Sequence, residues 1–275
     1  MDHRMSRANQ LLTYAMWLFL LVVFLFPIYW LVVSSFKTEG QQFAIPPIWF
    51  PAPATLENYI ELFSDAKVIN SLKNSLTIAG VTLAAVALLG IPAAYSMARF
   101  RVGGSLMMLV IFTARLLPPV AYIIPLFAIA RGLNLYDKHE SLVALYTFFA
   151  LPLAIWMLVG FISAIPDEIE DAAMIDGASR IGVIWHVVLP LIRPGLASVT
   201  IFMLLTSWNE FPLAVTLTAR KARTLPVTMY TFVTNQNIAW GELAAAGVLS
   251  ATPIVIAGLL VQKHLVMGLV TGSGK

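Results

Sequence analysis

Five carboxylates crowd into ten residues of one segment: Asp167, Glu168, Glu170, Asp171 and Asp176. Acids at that density suit the docking of a partner surface. The catalytic and metal-ligating patterns that the rest of the sequence offers are incomplete. His139-Glu140 is followed by Val143 where a zinc-protease helix requires a second histidine. His3 and His264 lie near the chain ends, and His186, in the acidic segment, reads as solvated. The absence of cysteine removes thiolate ligands and thiol nucleophiles together, and no serine and histidine share a spacing that supports a hydrolase. Gly274-Lys275 matches the close of a phosphate loop, yet Leu269 stands in its first glycine position. No catalytic residue and no metal site is expected. Two further charges, Arg115 and Glu210, stand inside long apolar runs. A charge at a bilayer centre costs about 2.5 to 3.5 kcal/mol on insertion scales, so it normally faces a bundle interior or a wet cavity. Arg115, and Glu210 with its neighbours Trp208 and Asn209, are therefore candidates for a solute path. Plainer roles stay open beside that one: snorkelling or helix-end pairing for Arg115, a helix-packing hydrogen bond for Glu210.

The elements that carry these residues belong in a membrane. Of 275 residues, 59% are hydrophobic and 11% charged, against roughly 25% charged in a soluble domain, and the mean hydropathy is +0.84. The net charge of +3 is scattered, with Arg220, Lys221 and Arg223 as its densest group; this excludes a nucleic-acid surface and fits a loop or a headgroup contact. A bilayer core of about 30 Å takes about 20 apolar residues as a helix. Residues Ala8 to Phe36 hold one such run, too long for the apolar core of a cleavable signal and so read as a retained first helix. Ser75–Ala98, Ser141–Ile165 and Leu243–Gln262 are further clean runs, and Gly103–Ala130 and Gly195–Leu217 each carry one charge. The expectation is an all-α membrane protein with six transmembrane helices, kinked at prolines that neighbouring helices compensate. It divides into 1–70, the first helix with an outer segment; 71–265, a five-helix core; and 266–275, a tail. Six spans put both ends on one side, and the two arginines of the short Arg99–Gly104 loop favour a cytoplasmic N-terminus.

The acidic segment is the long loop of the core, 164–194. Pro166 followed by Asp167 and Glu168 suits a helix start, since proline fits the first turn and acids the positive dipole end. Ile169, Ala172, Ala173 and Ile175 recur near helical spacing, and Gly177 is placed to end the helix in a left-handed conformation. A second amphipathic turn is expected over Ser179–Val188, stopped by Pro190 and Pro194. A helix lying on lipid would be rich in lysine and arginine, so an acidic helix with small apolar residues points to a protein partner.

The segment resembles the signature loop of the membrane subunits of binding-protein-dependent ABC importers: Glu-Ala-Ala, three residues, Gly, nine residues, Ile, one residue, Leu-Pro. Asp171-Ala172-Ala173, Gly177, Val187 and Leu189-Pro190 fall at those spacings, with aspartate for the usual glutamate and valine for isoleucine. Asp176 beside Gly177 is similar to the carbohydrate branch, as are Tyr29–Lys37, Leu56–Tyr59, Tyr95–Arg99 and Ser207–Phe211. The resemblance implies a permease for a sugar or related polar solute in a bacterial or archaeal cytoplasmic membrane, with N- and C-termini cytoplasmic. Its implied partners are a second permease, two ATPase subunits and an extracytoplasmic solute-binding protein. It assigns Glu170, Asp171, Ala172, Ala173, Met174, Ile175, Asp176, Gly177, Ala178, Leu189 and Pro190 to coupling with the ATPases. ATP and magnesium would be bound by those partners, with no cofactor in this chain. An ion-driven carrier shares kinked helices and isolated intramembrane charges, but does not account for the acidic loop.

Overall fold

The structure is a computed structural model that describes residues 7–104, 109, 113, 119–233 and 238–272. Among them the regular structure is helical, with one isolated bridge between Val233 and Ile238. The chain forms two compact units, Met1–Ala66 with Met229–Ala251, and Lys67–Thr228 with Thr252–Lys275.

In the first unit, α1 (Arg7–Ser35) exposes Leu12, Phe19 and Phe24 along its length, as a lipid-facing helix should. Its end carries a cluster of rings: Trp30 and Trp49 lie 5.6 Å apart, and the Tyr29 hydroxyl donates to the Trp49 carbonyl at 2.6 Å. Such rings favour a membrane and water boundary. Lys37 is buried, with its ammonium 3.9 Å over the Trp30 ring, and burial lowers its pKa. After a short turn, α2 (Glu39–Gln42), the chain runs irregularly to α3 (Glu57–Ser64), where Ile60 and Phe63 recur at helical spacing.

The second unit holds α4 (Ala66–Phe100), α5 (Pro119–Gly132) and α6 (His139–Ser163). The acidic loop follows as α7 (Asp167–Ile175) and α8 (Arg180–Val183), and then come α9 (Arg193–Trp208), α10 (Pro212–Leu217) and α11 (Leu225–Met229). The last helix, α12, runs Trp240–Gly272. Gln10–Ser35, Ala66–Phe100, His139–Ser163 and Trp240–Gln262 are each long and apolar enough to cross a membrane. The segment Arg180–Leu191 with α9 adds a fifth if counted as one, bent by 82°. The expected third span ends in α5, while much of its first half, including Arg115, lies outside the described residues.

Two of the boundaries that differ from the sequence reading have a plain physical cause. Helix α4 starts at Ala66 rather than Ser75, carrying Lys67 and Lys73, because a helix satisfies its own backbone and need not stop where apolarity does. The run Gly195–Leu217 is broken: α9 ends at Trp208, and Pro212 opens α10 in the first turn, where its missing N–H costs nothing. Helices α6 and α9 pack closely because Gly195 carries no Cβ, which would strike the Phe161 ring. Ala94, Ala154, Leu158, Ile162, Val199 and Met203 form the core there.

At the start of α4 and α6 a polar staple secures the segment 218–225. The Asp137 carboxylate accepts from the backbone N–H groups of Ala219, Arg220, Lys221 and Ala222 at 2.9 to 3.2 Å. Asn74 donates to the Lys221 and Arg223 carbonyls, and Ser75 accepts from the Leu225 N–H. Burial works against the Asp137 charge, but the four donors outweigh it and hold its pKa below the usual aspartate value. A depressed carboxylate stabilises the fold above its unfolded pKa and loses that contribution as pH falls through the lower folded value. Amide exchange at residues 219–222 is therefore expected to accelerate in Asp137→Ala at neutral pH, and in the parent only below about pH 4; unchanged exchange in the variant would remove the staple.

Candidate functional site

The acidic loop folds as its residues dictate. Pro166 stands at the N-cap of α7 with Asp167, Glu168 and Glu170 in the first turn, where acids meet the positive helix end. The helix closes on Gly177 at φ +92°: the Gly177 N–H donates to the Met174 carbonyl and the Ala178 N–H to that of Ala173. That pair of bonds is the Schellman closure, which needs a left-handed residue at this place. Ser179 opens α8, its hydroxyl accepting from the Gly182 N–H at 3.2 Å.

Beyond α8 the chain widens into a π-helical turn, Ile184–Val188, and a short turn, Leu189–Leu191. Pro190 does not stop the second helix as expected. It sits in the first turn of Leu189–Leu191, and the break falls at Ile192, whose φ −90° and ψ 12° leave the helical region.

The loop has an inner and an outer side. Ala173, Met174, Ala178, Val187 and Leu189 pack against a core that includes buried Val183, Val188 and Ile192. Pro190 is half-buried. Asp171, Ala172, Asp176 and Gly177 are exposed beside Ile169 and Ile175, the latter 86% exposed, and Ile181 and Trp185 of the following turns are also open. An acidic, apolar, rigid surface of this kind suits a protein partner.

Glu170 stands apart from these exposed acids. It is buried, accepting from the Tyr95 hydroxyl at 2.7 Å and from Arg99 Nε at 2.7 Å, with Arg99 Nη2 at 2.6 Å. Arg99 also pairs with Asp167 at 2.7 Å and donates to the Ile165 carbonyl at 2.9 Å. Reading along the chain missed Arg99 and Tyr95 as parts of the loop, because 71 and 75 residues separate them from Glu170.

The three intramembrane candidates that the structure describes do not converge. Trp208 is buried in the core, and Asn209 is exposed with its amide donating to the Leu205 carbonyl at 3.0 Å. Glu210 sits at the helix break, where it accepts from the Tyr146 hydroxyl at 2.8 Å and from the Leu213 and Ala214 N–H groups at 2.9 and 3.1 Å. It caps α10 and ties it to α6. His139 bonds to Asn74 at 2.8 Å, and among the described residues no group of three histidines or carboxylates could hold a metal ion.

Residues 86–270 match the family described as binding-protein-dependent transport system inner membrane component. The chain is 37% identical over 258 residues to the sulfoquinovosyl glycerol transport system permease protein SmoH of Agrobacterium fabrum, covering 93% of this chain and 90% of that protein. It is 35% identical over 260 residues to the trehalose/maltose transport system permease protein MalG of Thermococcus litoralis, covering 92% of each. Its fold is similar to a chain in the crystal structure of a bacterial ABC transporter that imports the acidic polysaccharide alginate. That match has a TM-score of 0.79 at 20% identity and covers 96% of this chain and 100% of the other.

Proposed function

The chain belongs to the family of binding-protein-dependent transport system inner membrane components, and on that premise we propose that it is a permease subunit of an ATP-driven importer for a sugar or related polar solute. It forms the translocation path with a second, homologous permease. Two partner ATPases bind ATP and magnesium and perform the hydrolysis, and an extracytoplasmic binding protein delivers the solute. The observation that carries this reading is the outer side of the loop 164–194. There Asp171, Ala172, Ile175 and Asp176 project from a helix closed by a left-handed glycine, on a base buried in the core. The apolar groups supply docking area and the acids set register by charge. Closure of the ATPases moves this loop and switches the membrane helices between two arrangements. The sugar class rests on relatives named for sulfoquinovosyl glycerol and for trehalose and maltose.

Two measurements test this. Uptake by the complex reconstituted in vesicles is expected to require ATP on the loop side and the binding protein on the other; uptake driven by a proton or sodium gradient through this chain alone would make it a carrier of another class. In the proposed arrangement the loop and both termini lie in the cytoplasm. A cysteine at Ser179, exposed on the loop, should stay unlabelled by a membrane-impermeant reagent in intact cells and react in inverted vesicles.

A further inference from the structure

Helix α4 ends on a basic side chain, and α7 begins on acidic ones. Arg99 lies in the last turn of α4, where a cation suits the negative end of the dipole; Asp167 and Glu170 lie in the first turn of α7, where anions suit the positive end. The two helix ends thus carry opposite charges that suit them and also pair with each other. Asp167 and Glu170 are three residues apart, one turn, and so reach the same guanidinium.

The Arg99 guanidinium makes most of the joints. Its Nε and Nη2 hold one Glu170 oxygen, Nη1 holds Asp167, and Nη2 also donates to the Ile165 carbonyl in the junction between α6 and α7. The other Glu170 oxygen accepts from Tyr95, one turn back along α4. The Arg99 and Glu170 side chains are only 11% and 5% exposed, whereas Asp167 is 76% exposed, so the buried Arg99–Glu170 pair is the firm part of the fork. A planar fork held this way in a place shielded from water is stiff, because each bond fixes the angle of the next. Glu170 is thereby occupied and turned inward, which leaves Asp171 and its exposed neighbours for the partner. The guanidinium of Arg180, at the start of α8, adds a contact 5.0 Å over the Phe100 ring.

From this geometry we infer that Arg99, with Glu170, Asp167 and Tyr95, is the strut that passes movement of the coupling helix α7 into the membrane helix α4. A loop hinged freely at Ile165–Pro166 would absorb the push of a partner. The Arg99 fork closes that hinge, so α7 and the end of α4 move as one piece. Arg99 is a positioning residue: it touches neither ATP nor solute, and it acts by fixing the loop that the partners grip. The inference rests on the docking role proposed for the loop.

The test uses the full complex with its ATPases, second permease and cognate binding protein as purified from its host, and reads three quantities: ATPase subunits bound, unstimulated hydrolysis, and hydrolysis stimulated by the binding protein. Arg99→Gln is expected to keep the first two and lose at least about tenfold of the third, within the usual range of coupling between sites. Glu170→Gln should lose stimulation likewise, and Tyr95→Phe, which removes one bond, less. The double variant Arg99→Gln/Glu170→Gln should lose little more stimulation than Arg99→Gln alone, because the two residues act as one joint that either substitution breaks. Full stimulation in assembled Arg99→Gln complexes overturns the strut, and so does a loss that only tracks missing ATPase subunits. Ile175→Glu, on the outer side, tests the docking role separately: it should lose the ATPase subunits, and if it binds them and is stimulated like the parent, the docking role has failed rather than the strut.

Discussion

Gly177→Val is expected to give a permease that inserts and folds but loses stimulated ATP hydrolysis and uptake by at least about tenfold, a typical size for coupling between distant sites. The reason lies in the backbone. Gly177 holds φ +92° to close α7, and a β-branched residue in the left-handed region costs about 1 to 2 kcal/mol. Beyond its two chain neighbours, nothing lies within 4 Å of the place a Cβ would take, so the cost is one of conformation and the added side chain stands on the open side of the loop. Relaxing that strain would break the two carbonyl bonds made by Gly177 and Ala178 and change the angle between α7 and α8. The docking surface would then be misaligned while the buried base, built on Val183 and Val188, stays in place. Gly177→Asn separates strain from bulk, because asparagine enters the left-handed region more readily than other residues; it should keep more coupling than valine. Measured in proteoliposomes, full stimulated hydrolysis and uptake by Gly177→Val would remove the loop from the coupling path.

How much of this could be read along the chain depends on how far apart the interacting residues lie. The start of α7 at Pro166 and Asp167 and the left-handed Gly177 are set by neighbours within one turn, and both stand where the spacing places them. Local signals misplaced the second stop, since Pro190 is harmless in a first turn and the bend comes at Ile192 instead. They also joined α9 and α10 into one run, because a single charge and Pro212 interrupt the backbone without ending the apolar stretch. The joints between distant elements leave no such trace. Arg99 with Glu170 and Asp137 with residues 219–222 are pairings over 71 to 85 residues, which the fold brings together and no periodicity announces. They mark opposite ends of the second unit. From Asn74 in the staple to Tyr95 in the strut α4 rises by roughly 30 Å, the thickness of a bilayer core. The apolar length of α4 is thus bracketed by two polar clusters, one at each expected membrane boundary.

Glu210 has two tasks in the proposed permease, and the second large effect follows from them. Its carboxylate accepts three hydrogen bonds at the break between α9 and α10, and among the described intramembrane candidates it keeps some exposure, as Asn209 does. Glu210→Ala leaves the Tyr146 hydroxyl and two backbone donors without this acceptor, a loss of about 1 to 3 kcal/mol where such groups are buried. The first turn of α10 should loosen and uptake per assembled complex should fall by about tenfold or more, the change in rate that 1.36 kcal/mol produces. Glu210→Gln separates the tasks. It keeps an acceptor for α10 but loses the charge and sets an amide against the remaining donors. Recovery of thermal stability in Glu210→Gln without recovery of uptake is the outcome expected if the carboxylate also lines the solute path. Tyr146→Phe gives the complementary measurement, for it frees one carboxylate lone pair and leaves the cap in place; its stability should change least of the three. If uptake in all three variants follows thermal stability alone, Glu210 serves only to cap α10 and hold it to α6, and the solute path runs along other residues.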